Sequence, residues 1–235
     1  MKSNHFVSAL LAVVVLFSAQ AAAQMIKKTK NELKAQTQIC EVDATAAPEL
    51  AEFVKQLPAL CEKNYPKIKN ILASKSFEPP AKVKLIFRQQ QNPGEAVGDT
   101  VYLSIEWFKK YPQDLGAIVH ELAHVVQSYP QNGTQPFWLK EGIADFVRYA
   151  TGYQNSWSNP RCGGVYPRYD SGYWCSAAFL GFVEKRYKSK NPAAAVNEKL
   201  RANSYTDAVF KDVTGKEISE LWRDCLLADC NGGTP

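Results

Sequence analysis

Histidine is scarce in this chain. Of three in 235 residues, two share one pentapeptide, His120-Glu121-Leu122-Ala123-His124. On a helix, imidazoles four residues apart point the same way, because 3.6 residues make a turn. The pair can therefore hold one metal ion. Glu121, turned by about 100° from His120, is placed to reach a water on that ion. The pattern is that of a zinc hydrolase with a single Zn2+. A hydrolytic zinc takes three protein ligands and keeps a fourth position for water. His5 lies in a segment expected to be removed, so the third ligand must be something other than histidine.

A carboxylate on the next helix meets that need. Glu141 follows His124 by 17 residues, across a stretch containing Pro130, Asn132 and Gly133. That length suits two antiparallel helices side by side. Gly142 is expected to let the two backbones approach closely. Asp145, one helical turn beyond Glu141 on the same face, is placed to accept a hydrogen bond from the free ring nitrogen of His120. Such a partner fixes the tautomer of a metal-bound histidine and raises its basicity. By spacing alone either acid can be the ligand and the other its support.

The surrounding pattern supplies elements to hold these groups. The run Pro112 to Gln127 is apolar at Leu115, Ile118, Val119, Leu122, Val125 and Val126, the spacing of a buried helix. A second helix opens near Pro136 and runs to about Ala150. Upstream, Pro48 to Leu72 predicts two short helices, one carrying Leu50, Phe53, Val54 and Leu57, the other following Pro58. Lys82-Val-Lys-Leu-Ile-Phe-Arg88 reads as a strand against a core, Gln91-Asn-Pro-Gly-Glu95 as a turn, and Thr100–Ser104 as a second strand. A loop rich in Gly, Pro, Asn and Tyr covers 152–171. Helices at about 172–187, 192–201, 204–211 and 216–227 finish the chain. Strands followed by helices predict an α+β fold, a small mixed sheet over the active-site helix with a helical C-terminal half.

The N-terminus carries a basic start, an apolar run from Phe6 to Phe17, and small residues at an Ala-x-Ala site. That is the layout of a secretory signal peptide over 1–23, cleaved after Ala23. The run is too short to span a membrane, and no later stretch qualifies, so no stable membrane insertion is expected. Residues 24–235 are enough for one domain. Losing Lys2 takes the 28 basic residues to 27 against 23 acidic, a net charge of +4. This mild excess gives no reason to expect nucleic acid, and Lys27-Lys28-Thr29-Lys30 reads as a solvated arm. All six cysteines lie after the signal segment. In an oxidising compartment they predict three disulfides, and loop closure favours 40–61, 162–175 and 225–230. The chain is expected to be secreted, extracellular or periplasmic, and monomeric.

The segment Trp138-Leu139-Lys140-Glu141-Gly142-Ile143-Ala144-Asp145 resembles the third-ligand helix of the gluzincin metallopeptidases, where the glutamate before the glycine binds zinc. The stretch from about Lys82 to Cys225 further resembles the plant basic secretory protein family, secreted peptidase-like proteins of plants and bacteria. The resemblance rests on His120–His124, Glu141–Arg148, Arg168-Tyr-Asp-Ser-Gly-Tyr173, and Val196–Arg201 through Leu221-Trp222. It implies a zincin-like fold, zinc bound by His120, His124 and Glu141, and a peptide or protein substrate. Gluzincins often place a tyrosine hydroxyl near the scissile carbonyl. Tyr173 fits the family pattern, while Tyr169, where many plant members are expected to carry tryptophan, has the spacing before Gly172 seen in aminopeptidase-type gluzincins. Both are candidates, with Tyr173 favoured.

In the expected mechanism zinc lowers the pKa of its water to roughly 7, and Glu121 takes the proton and passes it to the leaving amine. The strand near Thr100–Ser104 is a candidate edge for an extended peptide. Aromatic residues from Tyr149 to Trp174, including Trp157 and Tyr166, are candidates for substrate subsites. Metzincins are disfavoured, since they need a third histidine and a methionine turn. A zinc amidase acting on a non-peptide substrate and a non-catalytic, metal-stabilised defence or wall-binding protein are the competing classes.

Overall fold

The computed structural model describes residues 33–130, 133, 135–154, 162, 167–228 and 230. The expected signal segment 1–23, the basic cluster at 27–30, and the aromatic residues Trp157 and Tyr166 lie outside them.

Five short strands form one mixed sheet: β1 Lys34–Gln36, β2 Cys40–Asp43, β3 Val83–Arg88, β4 Gly94–Val97 and β5 Thr100–Ser104, in the order β1-β2-β3-β5-β4. The alternation read in Lys82–Arg88 has the expected cause. Val83, Leu85 and Phe87 of β3 are buried, while Lys84 between them is exposed. The strand predicted at Thr100–Ser104 is β5, with the same bounds. It is not an edge, however: β3 pairs with it in parallel and β4 antiparallel. Among the described residues the free edge on this side is β4, part of which reads as turn in the sequence. Residues 91–93 do bend, but Gly94 to Val97 runs on as a strand and returns through the positive-φ turn at Gly98. β1 and β2 were not foreseen.

Nine α-helices are described: α1 Ala51–Val54, α2 Leu57–Ile71, α3 Ile105–Lys110, α4 Leu115–Gln127, α5 Phe137–Ala150, α6 Tyr173–Arg186, α7 Pro192–Arg201, α8 Ala208–Thr214 and α9 Ile218–Leu227. The α+β expectation holds, with helices dominating after α4. Only α3 has no counterpart in the sequence reading; Ser104 caps it by accepting from the Trp107 amide at 3.2 Å. α4 starts three residues later than predicted. Residues 112–113 form a turn, closed as the Asp114 amide donates to the Tyr111 carbonyl. The Asp114 carboxylate, at the N-cap, caps nothing and instead accepts from Arg148 at 2.7 Å and from the Trp107 indole at 3.1 Å.

α4 packs against β4, β5, α2 and α5, and α5 lies between α4 and α6. Phe53, Phe87 and Phe108 meet under the sheet with ring centroids 5.1–6.2 Å apart. A second aromatic group, Tyr169, Phe179, Phe210 and Trp222, joins α6, α8 and α9. The three disulfides pair as loop closure suggests, 40–61, 162–175 and 225–230. Cys40–Cys61 fastens β2 to α2, closing a loop worth about 3 kcal/mol in chain entropy. Among the described residues, no helix is long and apolar enough to cross a membrane.

Candidate metal centre

The apolar stripe of α4 faces the core, with Ile118, Val119, Leu122, Val125 and Val126 essentially inaccessible. Its remaining face turns His120, Glu121 and His124 toward α5 and β4. α5 does the same in reverse. Ile143 and Val147 are buried in the core, while Glu141 and Asp145, one turn apart, face α4. The close approach expected at Gly142 occurs, but toward α6: a Cβ there would lie 2.5 Å from Cβ of Ser176. Gly142 thus admits the helix behind α5, not the one in front. Ser176 in turn donates to the Tyr169 carbonyl and accepts from the Gly172 amide, holding the turn that leads into α6.

Three acceptor atoms converge between α4 and α5. Nε2 of His120 lies 3.1 Å from Nε2 of His124 and 3.2 Å from Oε2 of Glu141, and the third edge measures 3.4 Å. Bonds of about 2.05 Å in a tetrahedron put neighbouring ligand atoms about 3.3 Å apart. The opposite ring nitrogens are already engaged. Nδ1 of His120 donates to Asp145 at 2.7 Å, as the sequence suggested, and Nδ1 of His124 donates to Oε1 of Gln127 at 2.6 Å. With both Nδ1 protons used, two nitrogen lone pairs and a carboxylate oxygen face one point, an arrangement that a bound cation or a proton on one Nε2 makes favourable. His120, His124 and Glu141 can therefore hold a metal ion.

The electrostatics of the cluster carry the same demand for positive charge. Burial by itself would push the His120 imidazole down, but hydrogen bonds to Asp145 and Glu141 outweigh it and hold the pKa up to about 10. Burial acts to raise Glu141, yet His120 and His124 keep it well below the usual carboxylate range.

Glu121 is buried beside this cluster and seated against β4. A Cβ on Gly94 would fall 2.4 Å from Cγ of Glu121, so a bare backbone is required there. Both line a cleft of about 940 Å³ that also contains the three acceptors, Asp145 and Tyr173. Tyr173, the first residue of α6, has φ +40°, a left-handed conformation rare for a bulky side chain. It is 46% exposed and crosses Phe137 edge-on at 5.5 Å, and partial burial raises its pKa, with the charges of Glu141, Asp145 and Glu121 adding to the effect.

The structure thus brings His120, Glu121, His124, Glu141, Asp145 and Tyr173 to one cleft. It leaves Tyr169 outside the lining, its ring packed on Trp138, Phe179 and Trp222. Three features were not read from the sequence. β4 forms a wall, Gln127 supports His124, and the buried Arg148–Asp114 pair joins α5 to the start of α4. Gln127 had a legible signal, being three residues past His124 on one helix face.

A family model described as BSP, "Peptidase of plants and bacteria", matches residues 41–225. No curated protein matches the chain.

Proposed function

The chain belongs to the BSP family of plant and bacterial peptidases, and from that premise we propose that it is a secreted, zinc-dependent metallopeptidase with a gluzincin-type site on a zincin-like fold. The observation that supports this most is the convergence of the His120, His124 and Glu141 acceptor atoms at 3.1–3.4 Å, with both Nδ1 protons already committed. Two imidazoles and one carboxylate form the mixed N/O donor set typical of catalytic zinc. When bound there, zinc supplies Lewis acidity and a water nucleophile available near neutral pH.

The chain's own groups then have distinct tasks. Glu121 accepts the proton of the attacking water and delivers it to the leaving amine. The Tyr173 hydroxyl donates to the carbonyl oxygen of the scissile bond as negative charge develops on it. β4, the last strand of the described sheet and part of the cleft lining, rather than β5, pairs with an extended peptide. Three disulfides and a removable segment at 1–23 suit an exported protein.

Elemental analysis of the purified mature protein, followed by cleavage of a quenched peptide library, tests the proposal. One equivalent of zinc is expected, with turnover that a chelator abolishes and added zinc restores. Zinc bound without turnover of any peptide would return the metal-stabilised binder or the amidase as the better reading. A protein that binds no zinc would remove all three.

A further inference from the structure

His120 and His124 are supported by different chemistry, and the support of His124 follows from a backbone atom. Gln127 is the last residue of α4 and is buried, its side chain between His124 and the first turn of α5. Its Nε2 lies 2.8 Å from the Lys140 carbonyl and its Oε1 lies 2.6 Å from Nδ1 of His124. A backbone carbonyl only accepts. The amide nitrogen must therefore face Lys140, since the opposite orientation would set two acceptor oxygens against each other. That leaves Oε1 toward His124, and an oxygen only accepts. Nδ1 of His124 must then carry the proton, and the lone pair must sit on Nε2, the atom that faces His120 and Glu141.

We propose that Gln127 is a positioning residue of the metal centre: its amide, oriented by the Lys140 carbonyl, fixes the tautomer of His124 and ties α4 to α5 one residue before Glu141. The assignment rests on the reading of the cluster as a metal site. One side chain thereby sets the ligand atom of His124 and anchors the backbone that carries Glu141. Asp145 orients His120 in the corresponding way from within α5 itself, and its bond also spans the two helices. Glutamine is the side chain suited to this place, because it offers an acceptor and a donor on one rigid plane. Glutamate matches its shape but offers no donor to Lys140, and leucine offers neither group.

The test uses the mature chain without metal, its histidines labelled with 15N, and reads the tautomer of His124 by long-range 1H–15N correlation. A parallel zinc titration against a competing chelator reads affinity. Wild type and Gln127→Glu are expected to show the Nδ1–H tautomer. Gln127→Leu is expected to move to Nε2–H or a mixture and to bind zinc about 10–100-fold more weakly, while its thermal melt remains cooperative. If Gln127→Leu does not fold, Gln127→Glu still decides the matter: a His124 tautomer altered in that variant overturns the proposal. So does a folded Gln127→Leu with wild-type tautomer and wild-type zinc affinity. A wild type that binds no zinc, but whose tautomer still changes in Gln127→Leu, would overturn the metal-centre role and leave only the control of the His124 tautomer by Gln127.

Discussion

Between α4 and α5 the buried side chains are polar, whereas around Phe179, where α6, α8 and α9 meet, they are aromatic. In the first region His120, Glu121, Gln127, Glu141 and Asp145 are all withdrawn from solvent and line one cleft. In the second, Tyr169, Phe179, Phe210 and Trp222 meet at centroid distances of 5.4–6.0 Å, the range that favours edge and tilted contacts. The aromatic group is complete without a ligand, since ring burial and ring–ring contact are their own stabilisation. The polar group brings three acceptor atoms to one point, where they could hold a metal ion. Burial of rings on one another serves stability, whereas burial of converging acceptors suits a site for a cation. The two tyrosines near the start of α6 illustrate the division, with Tyr169 in the aromatic group and Tyr173 in the cleft.

The contrast breaks most sharply at Glu121. Glu121→Gln is expected to keep zinc and the wild-type melting temperature but lose about 10²–10⁴-fold in turnover, measured on the best library peptide. Wild-type turnover in this variant would remove Glu121 from the mechanism. The converse change is Phe179→Ala, which leaves a cavity in the aromatic group and should cost about 3–5 kcal/mol in a denaturant titration. Zinc affinity of the folded fraction should hold, and a loss of affinity comparable to the loss of stability would show the regions are not independent. Tyr173→Phe should lower kcat on the order of 10²-fold with little effect on stability, whereas Tyr169→Phe should leave kcat unchanged. Equal effects at the two positions would erase the distinction.

The smallest expected effect is a pH slope. In metal-free protein the His120 pKa lies above its ordinary value, at about 10. The stabilisation from its imidazolium is then complete below about pH 6.5 and disappears as pH climbs through 10. Chelated protein should lose a few degrees of melting temperature across that range, and zinc-loaded protein, whose ligand nitrogens are not free to titrate, should stay flat. A flat profile for the chelated form would mean that the cluster does not hold a proton in place of a cation.

Much of this centre was legible because helical spacing is local. The i, i+4 pairs His120/His124 and Glu141/Asp145 follow from the geometry of one turn, and the apolar periodicity of 115–126 announces the face on which the first pair cannot lie. Near-neighbour disulfides were legible for the same reason of short range. β1, β2 and β4 were not, because three or four residues carry too little alternation, and their pairing partners lie elsewhere in the chain. β2 is a strand because Cys40 and Val42 find β3 and α2, a fact the segment itself does not contain.

The amino-acid order alone determined which side chains share a helix face, and hence that two imidazoles, a base and two acids were available for one ion. Only the tertiary structure decided which groups complete them: that β4 and not β5 is the open edge, that Gly94 makes room for Glu121, and that Tyr173 rather than Tyr169 lines the cleft. The physical reason is range. Side-chain direction along a helix is fixed by bonds a few residues long, whereas a wall, a seat or a cleft lining arises where distant segments meet, and no local rule specifies that meeting.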